Sequence, residues 1–101
     1  MRTGNKGNGS NSAVKMTFTI QNKLGLHARA ASQFVQLTNK FNADIMVIKG
    51  RHEVNGKSIM GIMMLAAAMG SRITVKAKGS DAHDAIDAIG RLINDKFGEE
   101  Q

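Results

Sequence analysis

At 101 residues and 10.8 kDa the chain has room for one hydrophobic core. Its 42% hydrophobic and 22% charged residues read as a soluble globular protein, and the absence of cysteine excludes disulfides, thiolate metal ligands and cysteine nucleophiles. The net charge of +6 forms no basic stripe, and four Phe without Trp or Tyr offer few stacking platforms, so nucleic acid is not the expected partner.

Residues 1–13 are almost wholly Gly, Asn, Ser and basic side chains, with nothing to bury, and read as a flexible tail. They lack the apolar stretch of a secretory signal, and no run in the chain approaches the ~20 apolar residues of a membrane span, so a cytoplasmic location and no membrane partner are expected. The single domain is expected over 14–101.

Val14, Met16, Phe18 and Ile20 alternate with polar residues, which predicts a half-buried strand. Asn22 to Leu26 reads as a loop around Gly25. From Ala28 to about Phe41, Ala30, Ala31, Phe34, Leu37 and Phe41 follow helical spacing. Ala43–Lys49 and His52–Val54 read as a hairpin across Gly50-Arg51, closed off by Asn55-Gly56. Ser58 is an N-cap residue for an apolar helix running to Leu65 or beyond, with Gly70 as its stop. Most of its Ile and Met side chains are expected in the core, with some of Ile59, Met60 and Met63 left exposed. Ile73, Val75 and Ala77 mark a fourth strand. A final helix begins at Ser80 or Asp81, buries Ala82, Ala85, Ile86, Ile89, Ile93 and Phe97, and stops at Gly98. The order β-α-β-β-α-β-α predicts an α+β open-faced sandwich.

The three histidines, His27, His52 and His83, show no metal-ligand spacing, so no metal or other cofactor is expected. His52 and His83 read as surface residues. His27 stands where a glycine loop meets a helix start, a place usually held by Ser, Thr, Asp or Asn. Two readings stay open there. The ring satisfies a local hydrogen bond, or it is functional. The positive end of the helix dipole favours the neutral imidazole, the first-turn amides suit an anion, and Arg29 adds a forked donor for phosphate oxygens. A neutral nucleophile beside an anion cradle suits phosphoryl exchange. Gly56-Lys57-Ser58 matches the end of a phosphate-binding P-loop, but position 51 is Arg where that motif needs Gly. Ser58 is then a plain N-cap or, with Lys57 beside it, a tolerable phosphorylation site. The Met-rich segment after it supplies adaptable contact side chains.

Gly25-Leu26-His27-Ala28-Arg29 and Asn55-Gly56-Lys57-Ser58-Ile59-Met60-Gly61, in this element order, resemble the HPr family of histidine-containing phosphocarriers of the bacterial phosphoenolpyruvate-dependent phosphotransferase system. The resemblance covers about 14–97. It implies a four-stranded antiparallel sheet with three helices on one face, a carrier rather than an enzyme with its own turnover, and His27 phosphorylated at Nδ1 with Arg29 assisting. It also implies an enzyme I-type phosphodonor, an enzyme IIA-type acceptor, and a docking surface of Ile59, Met60 and Met63. Ser58 falls where some members are phosphorylated by a regulatory kinase, and a monomer is expected because one small face must serve several partners in turn. The sequence departs from many sugar-transport members in having Ala30 where they have Pro. Met63–Ala68 looks more like the nitrogen-branch relatives called NPr, so a regulatory carrier is the alternative to sugar uptake. A protein-interaction module without phosphoryl chemistry is a further alternative.

Overall fold

The computed structural model describes residues 13–99. The expectation of a flexible tail falls on residues of which 1–12 lie outside the described part. Four strands, β1 (Ala13–Thr19), β2 (Asp44–Lys49), β3 (His52–Asn55) and β4 (Arg72–Lys78), alternate with three helices, α1 (Ala28–Thr38), α2 (Ile59–Met64) and α3 (Ala82–Asn94). The sheet order is β1-β4-β2-β3 and every pairing is antiparallel. The helices cover one face, giving the open-faced α+β sandwich expected from the element order.

Alternation decides which face is buried. Ile73, Val75 and Ala77 of β4 point inward with Ile45 and Val47 of β2, and all five are almost fully buried. The helical stripes meet them with Phe34 of α1 and with Ile86, Ile89 and Ile93 of α3. Burying a side chain such as Phe34, which has no exposed surface, contributes roughly 1.5–3 kcal/mol. The opposite sheet face is polar, as in the 2.9 Å contact between Thr17 Oγ1 and Thr74 Oγ1.

Three helix ends differ from the sequence expectation. α1 stops at Thr38, not Phe41, because Asn39 caps it and its Nδ2 donates to the Val35 carbonyl at 3.0 Å. Phe41 still packs on the core, from a turn. α2 ends at Met64, six residues before Gly70, because the chain enters the left-handed region at Ala66 (φ 50°). α3 ends at Asn94, and Phe97 is buried from a short 3-10 turn, Lys96–Gly98. At the start of α3, Asp81 occupies the N-cap but makes no side-chain cap bond.

The Met-rich segment also departs from expectation. Of its Ile, Leu and Met side chains only Ile62 and Leu65 are buried, while Ile59, Met60, Met63, Met64 and Met69 are exposed. A six-residue helix has one core-facing stripe, filled by Ile62 and continued by Leu65 at the C-cap.

Candidate functional site around His27

The site is built where β1 hands over to α1. Asn22 is buried, and its Nδ2 donates to the Gly25 carbonyl at 2.8 Å, fixing the turn. Gly25 sits at φ 66° against the segment that follows α2; a β-carbon there would collide with the Ala67 carbonyl oxygen. The Leu26 amide then donates to that same oxygen at 2.9 Å. Leu26 is buried, so the next residue, His27, is held firmly at the N-cap of α1.

His27 has φ −74° and ψ 179°, and its carbonyl accepts the first intrahelical bond, from the Ala31 amide at 2.8 Å. The amides of Ala28, Arg29 and Ala30 therefore have no intrahelical acceptor. The imidazole makes no cap bond to them and is 28% exposed. Its Nε2 instead meets Glu99 Oε2 at 2.7 Å. The local-bond reading and the functional reading of this histidine are thus compatible, because only one ring nitrogen is engaged by the carboxylate.

Glu99 is brought in by an uncommon stretch of backbone. Lys96, Phe97 and Gly98 have φ of 57°, 56° and 77°, turning the chain back after α3. Phe97 is 1% exposed and anchors the turn. Gln21 Nε2 donates to Asn94 Oδ1 at 3.1 Å, and Asn22 Nδ2 donates to Glu99 Oε1 at 3.2 Å, so the residues before His27 grip the last residue of α3 and the turn that follows it. The hydrogen bond from His27 holds the Glu99 carboxyl below its ordinary value of 4.5, against desolvation and with help from Asn22 and the charge of Arg29. Arg29 is exposed on the first turn of α1.

Ser58 caps α2 as expected, its Oγ accepting from the Gly61 amide at 3.0 Å. It stands at the start of α2, whereas the bond to Leu26 comes from the segment after that helix. Thr38 Oγ1 donates to the Gly56 carbonyl at 2.8 Å, which sets the start of α2 beside the end of α1. The segment after α2 returns to the start of α1 through the Leu26–Ala67 bond. The two helices run antiparallel, and the exposed Ile59, Met60 and Met63 lie on the short helix that leads from Ser58 back toward the histidine. Lys57 is engaged, its Nζ donating to the Phe41 carbonyl at 2.7 Å, so it ties down the turn after α1 rather than forming an open basic patch. His52 and His83 are exposed and stand apart from His27 in the fold, on β3 and in the first turn of α3. Among the described residues no group of three or more His, Asp or Glu is arranged to hold a metal ion, and no helix is long and apolar enough to cross a membrane.

Sequence reasoning did not single out Glu99 or Asn22. Asn22 carried a signal, since Asn in a glycine loop commonly bonds the backbone nearby. Glu99 carried none, because 72 positions separate it from His27.

Residues 14–95 match the family model described as the PTS HPr component phosphorylation site. The phosphocarrier protein HPr of a Neisseria meningitidis serogroup A strain is 49% identical over 86 residues, covering 85% of this chain and 97% of that protein. The phosphocarrier protein NPr of Shewanella violacea is 46% identical over 81 residues, covering 80% of this chain and 89% of that protein. Among solved structures, HPr-C-His from Thermoanaerobacter tengcongensis matches with a TM-score of 0.84 and 48% identity, over 87% of this chain and 99% of that one. A second structure from that organism, described as an HPr dimer, matches with a TM-score of 0.70 and 49% identity, over 83% and 97%.

Proposed function

The chain belongs to the HPr family, the phosphocarriers of the phosphotransferase system, and we propose that His27 is the residue on which it carries the phosphoryl group. One observation carries this reading: a partly exposed imidazole stands at the N-cap of an eleven-residue helix without using either nitrogen to cap it. The arriving phosphoryl oxygens meet first-turn amides and the positive end of the dipole, and Arg29 supplies a further cationic donor. The protein is a carrier and not an independent enzyme. It lends a nucleophile, and the proteins it docks supply the rest of the chemistry.

In this reading an enzyme I-type protein donates and an enzyme IIA-type protein accepts, both in the cytoplasm, and both dock on the exposed Ile59, Met60 and Met63. Ser58, at the far end of that surface, is the place where a kinase would regulate docking. The working form is a monomer, since the same small face must be vacated between partners. A monomeric mass in solution at micromolar concentration is the expected result, and a stable dimer covering α2 would overturn it. A regulatory rather than sugar-uptake branch is the second reading, favoured by Ala30 and by the likeness to an NPr.

Incubation with phosphoenolpyruvate and an enzyme I-type protein should add one phosphoryl group, acid-labile and alkali-stable, as seen by intact mass. His27→Ala should abolish it. Equal labelling of that variant would remove His27 from the role.

A further inference from the structure

A carboxylate is only an acceptor, so the 2.7 Å contact with Glu99 Oε2 requires the proton of the neutral imidazole to sit on Nε2. The lone pair is then on Nδ1, the nitrogen that neither Glu99 nor the helix amides engage. We propose that Glu99 is a positioning residue for phosphoryl transfer, holding His27 in the tautomer whose Nδ1 is nucleophilic and balancing the positive charge that grows on the ring as Nδ1 bonds to phosphorus. This rests on the reading of His27 as the carrier residue.

The step balances without a further reactant. The Nδ1 lone pair forms the N–P bond while the bond from phosphorus to the donor's leaving atom breaks, its electron pair staying on the donor. The Nε2 proton remains in the hydrogen bond to Glu99 throughout, and delivery to an acceptor reverses the step. A carboxylate on the rear nitrogen of a working histidine is a general device for setting tautomer and basicity.

The surroundings are built for this contact. Glu99 is 13% exposed and keeps its charge at neutral pH because the His27 hydrogen bond lowers its carboxyl. Its second oxygen is taken by Asn22, whose own Oδ1 is buried without a hydrogen-bond partner. Turning that amide over would set the oxygen against the Gly25 carbonyl and the Glu99 carboxylate, so Asn22 is kept for its two donated bonds. Lys96 and Phe97, both non-glycine, adopt left-handed backbone to deliver Glu99, a conformation that persists only where the surroundings enforce it.

The test compares the parent protein with Glu99→Gln and Glu99→Ala in two measurements: nitrogen-15 spectra of the His27 ring, and steady-state phosphorylation by phosphoenolpyruvate and an enzyme I-type protein. The parent should show a protonated Nε2 and a bare Nδ1. Glu99→Ala should mix the tautomers and lower kcat about tenfold, the lower end of what such partners contribute, with little change in KM. Glu99→Gln, which keeps an acceptor but no charge, should hold the tautomer and fall between. An unchanged rate in Glu99→Ala overturns the proposal whatever the ring spectrum shows, and so does a slower rate with an unchanged tautomer. A loss confined to KM points to docking and overturns it as well. Labelling of the parent at His27 in the same experiment separates these outcomes from failure of the carrier reading, which absence of that label would reveal.

Discussion

Asp81 and Ala43 are joined by a 2.8 Å hydrogen bond in which the Asp81 Oδ1 accepts from the Ala43 amide. The other oxygen accepts from the Asn42 amide, also at 2.8 Å. The N-cap residue of α3 thus spends its carboxylate on the start of β2 rather than on its own helix, tying two segments that the sheet also pairs at Asp44 and Lys78.

The first prediction follows from that bond. Asn42, first among several causes, lowers the Asp81 carboxyl below its ordinary value of 3.8. A carboxyl lowered in the folded state stabilises the fold above its unfolded value, and this contribution is lost as pH falls through the folded one. Glu99 acts in the same direction below 4.5. Asp81→Asn should therefore lower the urea midpoint at pH 7 and flatten the loss of stability on the acid side. A midpoint matching the parent at pH 7 would show that the two bonds add nothing to the native state.

Gly25 and Gly50 make a controlled pair. Both have positive φ, 66° and 60°, but a β-carbon at Gly50 meets nothing within 4 Å whereas one at Gly25 collides with the Ala67 backbone. Gly50→Ala should cost about 1–2 kcal/mol, the left-handed penalty alone. Gly25→Ala should cost more, and should slow phosphorylation of His27 because the Leu26–Ala67 bond would shift. Denaturant titration of both variants checks the ordering.

Ser58→Ala removes the bond to the Gly61 amide and should cost about 0.5–2 kcal/mol in denaturant titration. Ser58→Asp keeps a capping oxygen and should keep the fold, while adding negative charge at the edge of the Ile59, Met60 and Met63 surface. Transfer from an acidic donor should then slow about tenfold at low salt and recover partly at high salt. A salt-independent rate equal to the parent's would place Ser58 outside the docking surface.

Neighbouring residues on α2 should separate stability from docking. Ile62 has no exposed surface, and Ile62→Ala should cost about 2–5 kcal/mol. Met60 is 69% exposed, and Met60→Glu should leave the denaturation midpoint near the parent's while raising KM for the donor severalfold. Calorimetry and steady-state kinetics on the two variants check the division.

The strands and the registers of the helices were legible in the residues because burial imposes a period of two on β1 and β4 and a period near 3.6 on α1 and α3. The site was half legible. His27, Arg29 and Ser58 lie at glycine-flanked helix starts, where capping and electrostatics act over a few neighbouring positions. Helix ends were read less well: α2 stops at a left-handed alanine, Ala66, a residue type that normally favours continuing a helix. The exposure of Met64 and Met69 was missed for a related reason, since apolar character says what a side chain prefers and not whether a short helix has core left to offer it.

What the sequence alone determined is therefore the family and the two-layer architecture, and it singled out His27 as the candidate, all from local spacing or from motifs a few residues long. Tertiary structure decided what that histidine is bonded to. The Glu99 carboxylate reaches Nε2 only because Phe97 is buried against the core and Asn22 waits beneath the loop, contacts between chain segments more than 70 positions apart. No local propensity encodes such a pairing. It exists because the fold closes β1 against β4 and lays α3 across them, bringing the end of one long path to the beginning of another.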